Sequence, residues 1–289
     1  LEHRSFPPRD NPALPGAPLH ILLTNDDGFS TPGIQLLRDA LLAAGHFPVI
    51  VAPRTDQSGR GTSVFSHFGG KLNLQFHSAE NAWSVNGSPV DAVRVALDIL
   101  HLSPDLVIAG INLGENLGPI ATSSGTVGAS LYALQAGYPA IAVSAGLLIA
   151  EARLTPPFPS SLQAMRSAAS LVAQLANRLS VRRQPGKALL PAGAGVNINY
   201  PAAPNPRPPV ITQFSRGYTT FTVGLKPDAD FDATGNIVLD VRILPAPPVP
   251  DPANDAEMFA AGHITLTPLN ADWTAPADGF HALIEDLAR

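Results

Sequence analysis

The chain has no cysteine among its 289 residues, which excludes disulfides, thiolate catalysis and sulfur-ligated metal. Its eight histidines are scattered. None forms an H-x-x-x-H pair, which excludes a zinc site of the protease type. Charge is sparse, at 14% of residues and a net −5. A sequence-independent nucleic-acid binder carries a basic stripe instead, so no duplex binding is expected. No apolar run reaches membrane-spanning length; the longest candidate, Ala140–Ala152, is too short. No Arg-rich or signal-type segment opens the chain, and the expectation is a cytoplasmic protein without a membrane partner. What remains is a chain that is 45% hydrophobic, long enough to bury a large core.

Residues 1–18 hold several prolines and no apolar period, and read as an extended lead-in. From His20 onward the pattern alternates. Strand-like runs are His20–Thr24, Phe47–Ala52, Leu106–Ala109 and Ala140–Ser144, and helix-like runs stand between them at Gly33–Ala44, Val90–Leu100 and Thr126–Ala136. Gly45 stops the first helix, and Ser88-Pro89 opens the second. Such alternation predicts βαβ units: a mostly parallel, Rossmann-like α/β sheet with helices on both faces. A hairpin or irregular arm is predicted over Val64–Val85, with Phe68-Gly-Gly-Lys71 as a turn. Ser160–Leu179 reads as a helix and Gly195–Asn199 as a strand, followed by Asn254–Ala261, His263–Thr267 and Gly279–Leu287 as helix, strand and helix. Proline-rich stretches bracket a β-like segment, Val210–Leu244. The organisation is therefore one domain over 19–289, with a projecting β arm within 201–252.

Ligands of parallel sheets bind beyond the C-terminal strand ends, and polar loops stand there. The first is Asn25-Asp26-Asp27-Gly28, where neighbouring acids meet at one point only if the chain bends, as Gly28 allows. Two carboxylates that close repel by roughly 4 kcal/mol at an effective dielectric of about 20, a penalty that a divalent cation turns into a binding site. The second loop is Pro53–Ser63, the third Gly110–Gly118, and the fourth Ser123-Ser124-Gly125-Thr126 leads into a helix. Carboxylates, a Ser hydroxyl and an Asn carbonyl are hard oxygen donors suited to Mg²⁺, Mn²⁺ or Ca²⁺. A helix entrance at Ser-Gly-Thr offers N–H groups, hydroxyls and a positive dipole end to a phosphate. Each piece alone has a plain reading: an acidic turn, an ordinary N-cap, and Asx-turn asparagines at Asn112 and Asn116. Together they have the layout of a phosphoryl-transfer site.

The segments ILLTNDDGFSTPGIQLLRDAL (Ile21–Leu41), VNGSPVDAVRVAL (Val85–Leu97), PDLVIAGINLGENLG (Pro104–Gly118), SGTVGASLYALQAGYPAIAVS (Ser124–Ser144), VNINYP (Val196–Pro201) and DAEMFAAGHITLTPL (Asp255–Leu269) together resemble the SurE family of metal-dependent nucleotidases. The resemblance implies a Rossmann-like core whose C-terminal arm is exchanged within a homodimer or homotetramer. It implies one divalent metal ion per subunit, Mg²⁺ or Mn²⁺, bound by Asp26, Asp27, Ser58 and Asn112, with the two acids catalytic. It also implies phosphate contacts from Asn116, Ser124, Gly125 and Thr126. Two positions depart from the family pattern: Ser123 stands where Tyr is common, and Tyr132-Ala133 where a Glu-Gly pair is common.

The implied activity is hydrolysis of nucleoside monophosphates by metal-activated water, with a phosphoaspartyl route as the competing mechanism. A nucleotide- or phosphate-binding protein without turnover is the alternative function on the same scaffold. A haloacid-dehalogenase-type phosphatase needs Asp-x-Asp, which the adjacent acids do not supply. Asp91, three residues after Ser88, reads as a capping-box partner. Glu115 reads as a solvated loop acid, His67 and His77 as exposed hairpin residues, and Arg54 and Arg60 as surface residues flanking the second loop. Phe65 and Phe68 read as packing or loop-contact residues, with stacking on a base as the alternative. Gly193-Ala-Gly195 precedes a strand, not a helix, and is no dinucleotide fingerprint.

Overall fold

The computed structural model describes residue 6 and residues 14–65, 70–148, 151, 158–203, 205–216 and 253–272. Among them nine strands form one sheet: β1 (His20–Thr24), β2 (Phe47–Pro53), β3 (Leu74–His77), β4 (Ala82–Val85), β5 (Leu106–Leu113), β6 (Ala140–Ala145), β7 (Ala194–Tyr200), β8 (Arg207–Ile211) and β9 (His263–Asn270). Their order is β3-β4-β2-β1-β5-β6-β7-β9-β8. Pairing is parallel except at β3–β4 and β7–β9. The main helices are α1 (Pro32–Ala43), α2 (Pro89–Arg94), α3 (Gly125–Gln135), α4 (Pro159–Val181) and α5 (Asp255–Ala260).

Helices cover both faces because strand residues alternate between two apolar clusters. Ile21 and Leu23 of β1 pack with Ile34, Leu37 and Leu41 of α1 and Met165 and Val172 of α4. Leu22, between them, packs with Ala92 and Val93 of α2 and Val127 and Ala133 of α3. Every residue of β1 is buried, as a central parallel strand requires. The chain runs from β1 outward to β2, then returns across to β5 on the other side of β1. That reversal places a topological switch point at the C-terminal ends of β1 and β5, where doubly wound sheets bind ligands.

Several expectations need correction. The second helix is α-helical only to Arg94 and continues as a π-helical turn, Val95–Ile99. The hairpin is present, but its turn lies between His77 and Ala82, where Asn81 takes φ +48°. The glycine pair drew the expectation to Phe68–Lys71, of which Phe68 and Gly69 lie outside the described residues. The segment expected to project begins as a sheet strand, β8, paired parallel to β9. The remainder of the arm, the helix expected at Gly279–Leu287, His67, Phe68 and most of the lead-in fall outside the described residues. No helix among the described residues is long and apolar enough to cross a membrane.

Asp91 does close a capping box on Ser88. Its fully buried carboxylate accepts from Ser88 N and Oγ (both 3.0 Å) and from Phe65 N (2.7 Å). Removing it strands three donors, so Asp91→Ala should cost about 2 kcal/mol of stability. A shifted urea midpoint at unchanged slope is the expected readout.

Candidate active site

Asn25 clasps the turn that ends β1. Its amide nitrogen donates to Gly28 O (2.9 Å) and Thr31 Oγ1 (3.0 Å), and its oxygen accepts from Gly28 N (3.1 Å). Gly28 takes φ +120°, which a side chain would resist. The turn sends the two acids to different neighbours. Asp26 is buried and reaches the start of α3, where Gly125 N donates to its Oδ2 (3.1 Å) and the Thr126 hydroxyl to its Oδ1. Asp27 accepts from Leu113 N at the end of β5 (3.3 Å) and lines a cavity beside α1 and α4.

Burial raises the Asp26 pKa above the usual carboxylate range, against the pull of the Thr126 hydroxyl. Burial, then the charge of Asp26, pushes Asp27 up to about 7. Asp56, in the second loop, adds repulsion to both. The pair is therefore an under-compensated negative site, the electrostatic condition under which a cation binds.

The remaining loops converge on the same end of the sheet. Gln57 N donates to Asp26 O (2.7 Å), which joins the second loop to the first, and Gly61 N donates to Ser123 O (2.8 Å), which joins it to the α3 entrance. Ser58 is exposed, and its hydroxyl donates to Asp56 Oδ1 (2.6 Å). That bond uses the proton and leaves the oxygen lone pairs for a cation. Asn112 spends its amide nitrogen on Gly114 O (2.7 Å), so its carbonyl oxygen is the atom open to a metal. Among the described residues no group of three or more His, Cys, Asp or Glu side chains is placed to hold a metal. A cation here would rest on two carboxylates completed by neutral oxygens. Such an all-oxygen set fits a hard divalent ion of the Mg²⁺ or Mn²⁺ kind, which keeps open positions for water and phosphate.

The residues expected to cradle phosphate are largely engaged with protein partners. Ser124 Oγ caps α3 by accepting from Val127 N (3.1 Å), which leaves its proton to donate. Gly125 and Thr126 spend their donors on Asp26. Asn116 donates its side-chain amide to Ser144 Oγ (2.9 Å), and its backbone is clamped by β7: Asn199 Oδ1 accepts from Asn116 N (2.7 Å), and Asn197 Nδ2 donates to Asn116 O (2.8 Å). The α3 entrance thus holds an anion, as its dipole favours, and that anion is Asp26.

Glu115 is not solvated. It is 6% exposed, accepts from Leu147 N (3.3 Å), and has its pKa raised by burial. His77 is half-buried, hydrogen-bonded to Ser84 Oγ (2.7 Å) and stacked on Phe29 at 4.2 Å. Arg60 and Arg54 are exposed as expected, and Arg60 lies over the Phe65 ring at 5.2 Å. Sequence reasoning passed over Asp56, Asn197, Asn199 and Asp255. Asp56 stands two residues before Ser58, the Asx-turn spacing. Asn197 and Asn199 alternate along a strand and so share a face. Asp255 is buried and accepts from Gly118 N (2.9 Å) and Ser215 N (2.8 Å), which ties the third loop to α5.

Comparison with known proteins gives a consistent picture. The family described as "Survival protein SurE" matches residues 21–220. The chain is 35% identical over 273 residues to the 5'-nucleotidase SurE of Nitratidesulfovibrio vulgaris, covering 93% of this chain and 91% of that one. It is 34% identical over 267 residues to the 5'-nucleotidase SurE of Methanocella arvoryzae, covering 88% and 93%. The crystal structure of the SurE protein from Aquifex aeolicus superimposes with a TM-score of 0.72 at 26% identity, over 93% of this chain and 100% of that one.

Proposed function

This chain belongs to the survival protein SurE family, and from that premise we propose that it is a 5'-nucleotidase. In this reading it is a divalent-metal-dependent phosphomonoesterase that releases nucleoside and phosphate from nucleoside monophosphates. The observation that carries the reading is the pair of buried Asp26 and half-buried Asp27 at the switch point of the sheet, with each acid held by a different neighbouring element.

Asp26, Asp27, Ser58 and Asn112 would hold the ion. A bound divalent ion supplies Lewis-acid polarisation of a phosphoryl oxygen and lowers the pKa of water. Asp26 is held rigidly by Gly125 and Thr126, which suits a ligand that must not move. Asp27 has one backbone donor and an open side toward the cavity, which suits the group that orients or deprotonates the attacking water. The phosphoryl group would lie beside Asn116, Ser124, Gly125 and Thr126. Of these, Ser124 keeps a hydroxyl proton to donate, whereas Gly125 and Thr126 would act through Asp26. Assembly into a homodimer or homotetramer through residues 201–252 belongs to the same reading. Ile211, 81% exposed on the edge strand β8 at the root of that segment, supports it.

The test is a screen of phosphomonoesters against divalent ions. Chelation should lower nucleotidase activity by about 10²-fold or more, and Mg²⁺ or Mn²⁺ should restore it. Activity that survives exhaustive chelation would remove the metal from the mechanism.

A further inference from the structure

Between the N-terminal ends of α1 and α4 lies a cavity of about 250 Å³, walled by Leu113, Phe158, Leu162 and Met165 together with Asp27 and Asp56. Among the described residues its lining includes two carboxylates and no cationic side chain. Its two hydroxyls have spent their protons, Thr31 on Gly28 O (2.9 Å) and Ser161 on Gly146 O (3.0 Å). They cannot donate to the edge of a base. What the walls offer is apolar surface, including the half-buried ring of Phe158 and the thioether of Met165, both suited to the faces of a flat ring. The volume falls below the range of about 300–1,000 Å³ usual for drug-sized ligands, which suits one ring system better than a dinucleotide.

Asp27 belongs both to this wall and to the acid pair. A monoester whose phosphoryl group lay at that pair would have the mouth of the cavity within reach of its leaving group. We propose that the cavity receives the base of a nucleoside monophosphate, held by face contact with Phe158, Leu162 and Met165; this rests on the nucleotidase reading above. The division of labour is physical. The charged end of the substrate goes to the cation and polar loops, and the uncharged ring goes to the apolar cavity, which excludes water from the leaving-group side.

The test compares wild type with Phe158→Ala, which removes the stacking ring, and Leu162→Trp, which fills the cavity, with thermal melting to show that each variant folds. Two readouts are taken: kcat/KM for adenosine 5'-monophosphate relative to glycerol 1-phosphate, which has no ring, and adenosine binding to metal-free protein by NMR titration. Both variants should lower the kcat/KM ratio about tenfold, chiefly through KM, the loss usual when one stacking aromatic is removed. Both should weaken adenosine to a similar extent. An unchanged ratio, with adenosine bound as in wild type, would overturn the cavity assignment. If wild type hydrolysed neither ester, the nucleotidase reading would fall instead. Adenosine binding would then decide the cavity alone: weakening in the variants supports it, and no binding, or binding indifferent to both changes, overturns it.

Discussion

Asp27→Asn should lower nucleotidase activity by about 10³-fold or more, because it removes a ligand charge and the acid that opens from the pair toward the attacking water. The same change should stabilise the metal-free protein. Burial and the neighbouring charge of Asp26 raise the Asp27 pKa to about 7 in the fold, against 3.9 or so in an unfolded chain. Below that unfolded value both states are protonated and Asp27 costs nothing. As pH rises toward 7 the unfolded chain ionises first, so the folded state loses stability, and above 7 the loss is complete. The asparagine variant does not titrate. Its advantage should be absent near pH 4, grow between about pH 4 and 7, and level off at about 2 kcal/mol once solvent access and the charge shared with Asp26 are allowed for. Adding Mg²⁺ or Mn²⁺ should reverse the order, since an ion that binds only the folded wild type stabilises it in proportion to its occupancy. Thermal melting of both proteins across pH, with and without metal, checks all of this. An asparagine variant with wild-type turnover would dismiss Asp27 from the site.

The residues that set the fold were largely legible because their signals are local. The run Ile21-Leu22-Leu23 needs cover on both sides of a strand, and β1 has the bounds expected for it. The Ser88–Asp91 spacing states a capping box within four residues, and the box is present. Misreadings came where a distant segment decides the environment. Glu115 looks solvated in a glycine-rich loop, but the backbone at Leu147, after β6, covers it. His77 looks exposed on a hairpin until Phe29 stacks upon it. The glycines at 69 and 70 advertise a turn, yet Asn81 accepts left-handed geometry without advertising it. The site divides in the same way. That a helix enters at Ser124 is plain from Ser-Gly-Thr. That its donors reach for Asp26 depends on the packing of two elements 99 residues apart in sequence, which local chemistry does not reveal.

That packing gives Gly125 direct leverage on Asp26. A Cβ built there would stand 2.8 Å from Asp26 Cβ, 2.9 Å from Asp26 Oδ2 and 2.9 Å from Pro89 Cγ, closer than real Cβ atoms approach. Pro89 is fixed at the start of α2 by the Ser88 capping box, so it is the weaker candidate to yield. Rotation about χ1 moves the Asp26 carboxylate but not its Cβ, so the end of β1 and the α3 entrance must also part slightly, and Asp26 loses the bond from Gly125 N. Gly125→Ala should therefore keep the charge, the turn and the helix while moving the carboxylate of Asp26 by a few tenths of an ångström or more. Misplacement on the scale of about 1 Å can cost 10²-fold in rate, and a loss of about that size is expected in kcat/KM. Metal affinity should fall in parallel, because the same oxygens serve the ion. The alanine itself favours a helical position, so the melting temperature should change far less than activity does. Isothermal titration with Mn²⁺, alongside nucleotide hydrolysis, separates this from general damage. If the variant binds Mn²⁺ as wild type does and turns over normally, the α3 entrance does not position Asp26, and the link between the helix and the acid pair is dissolved.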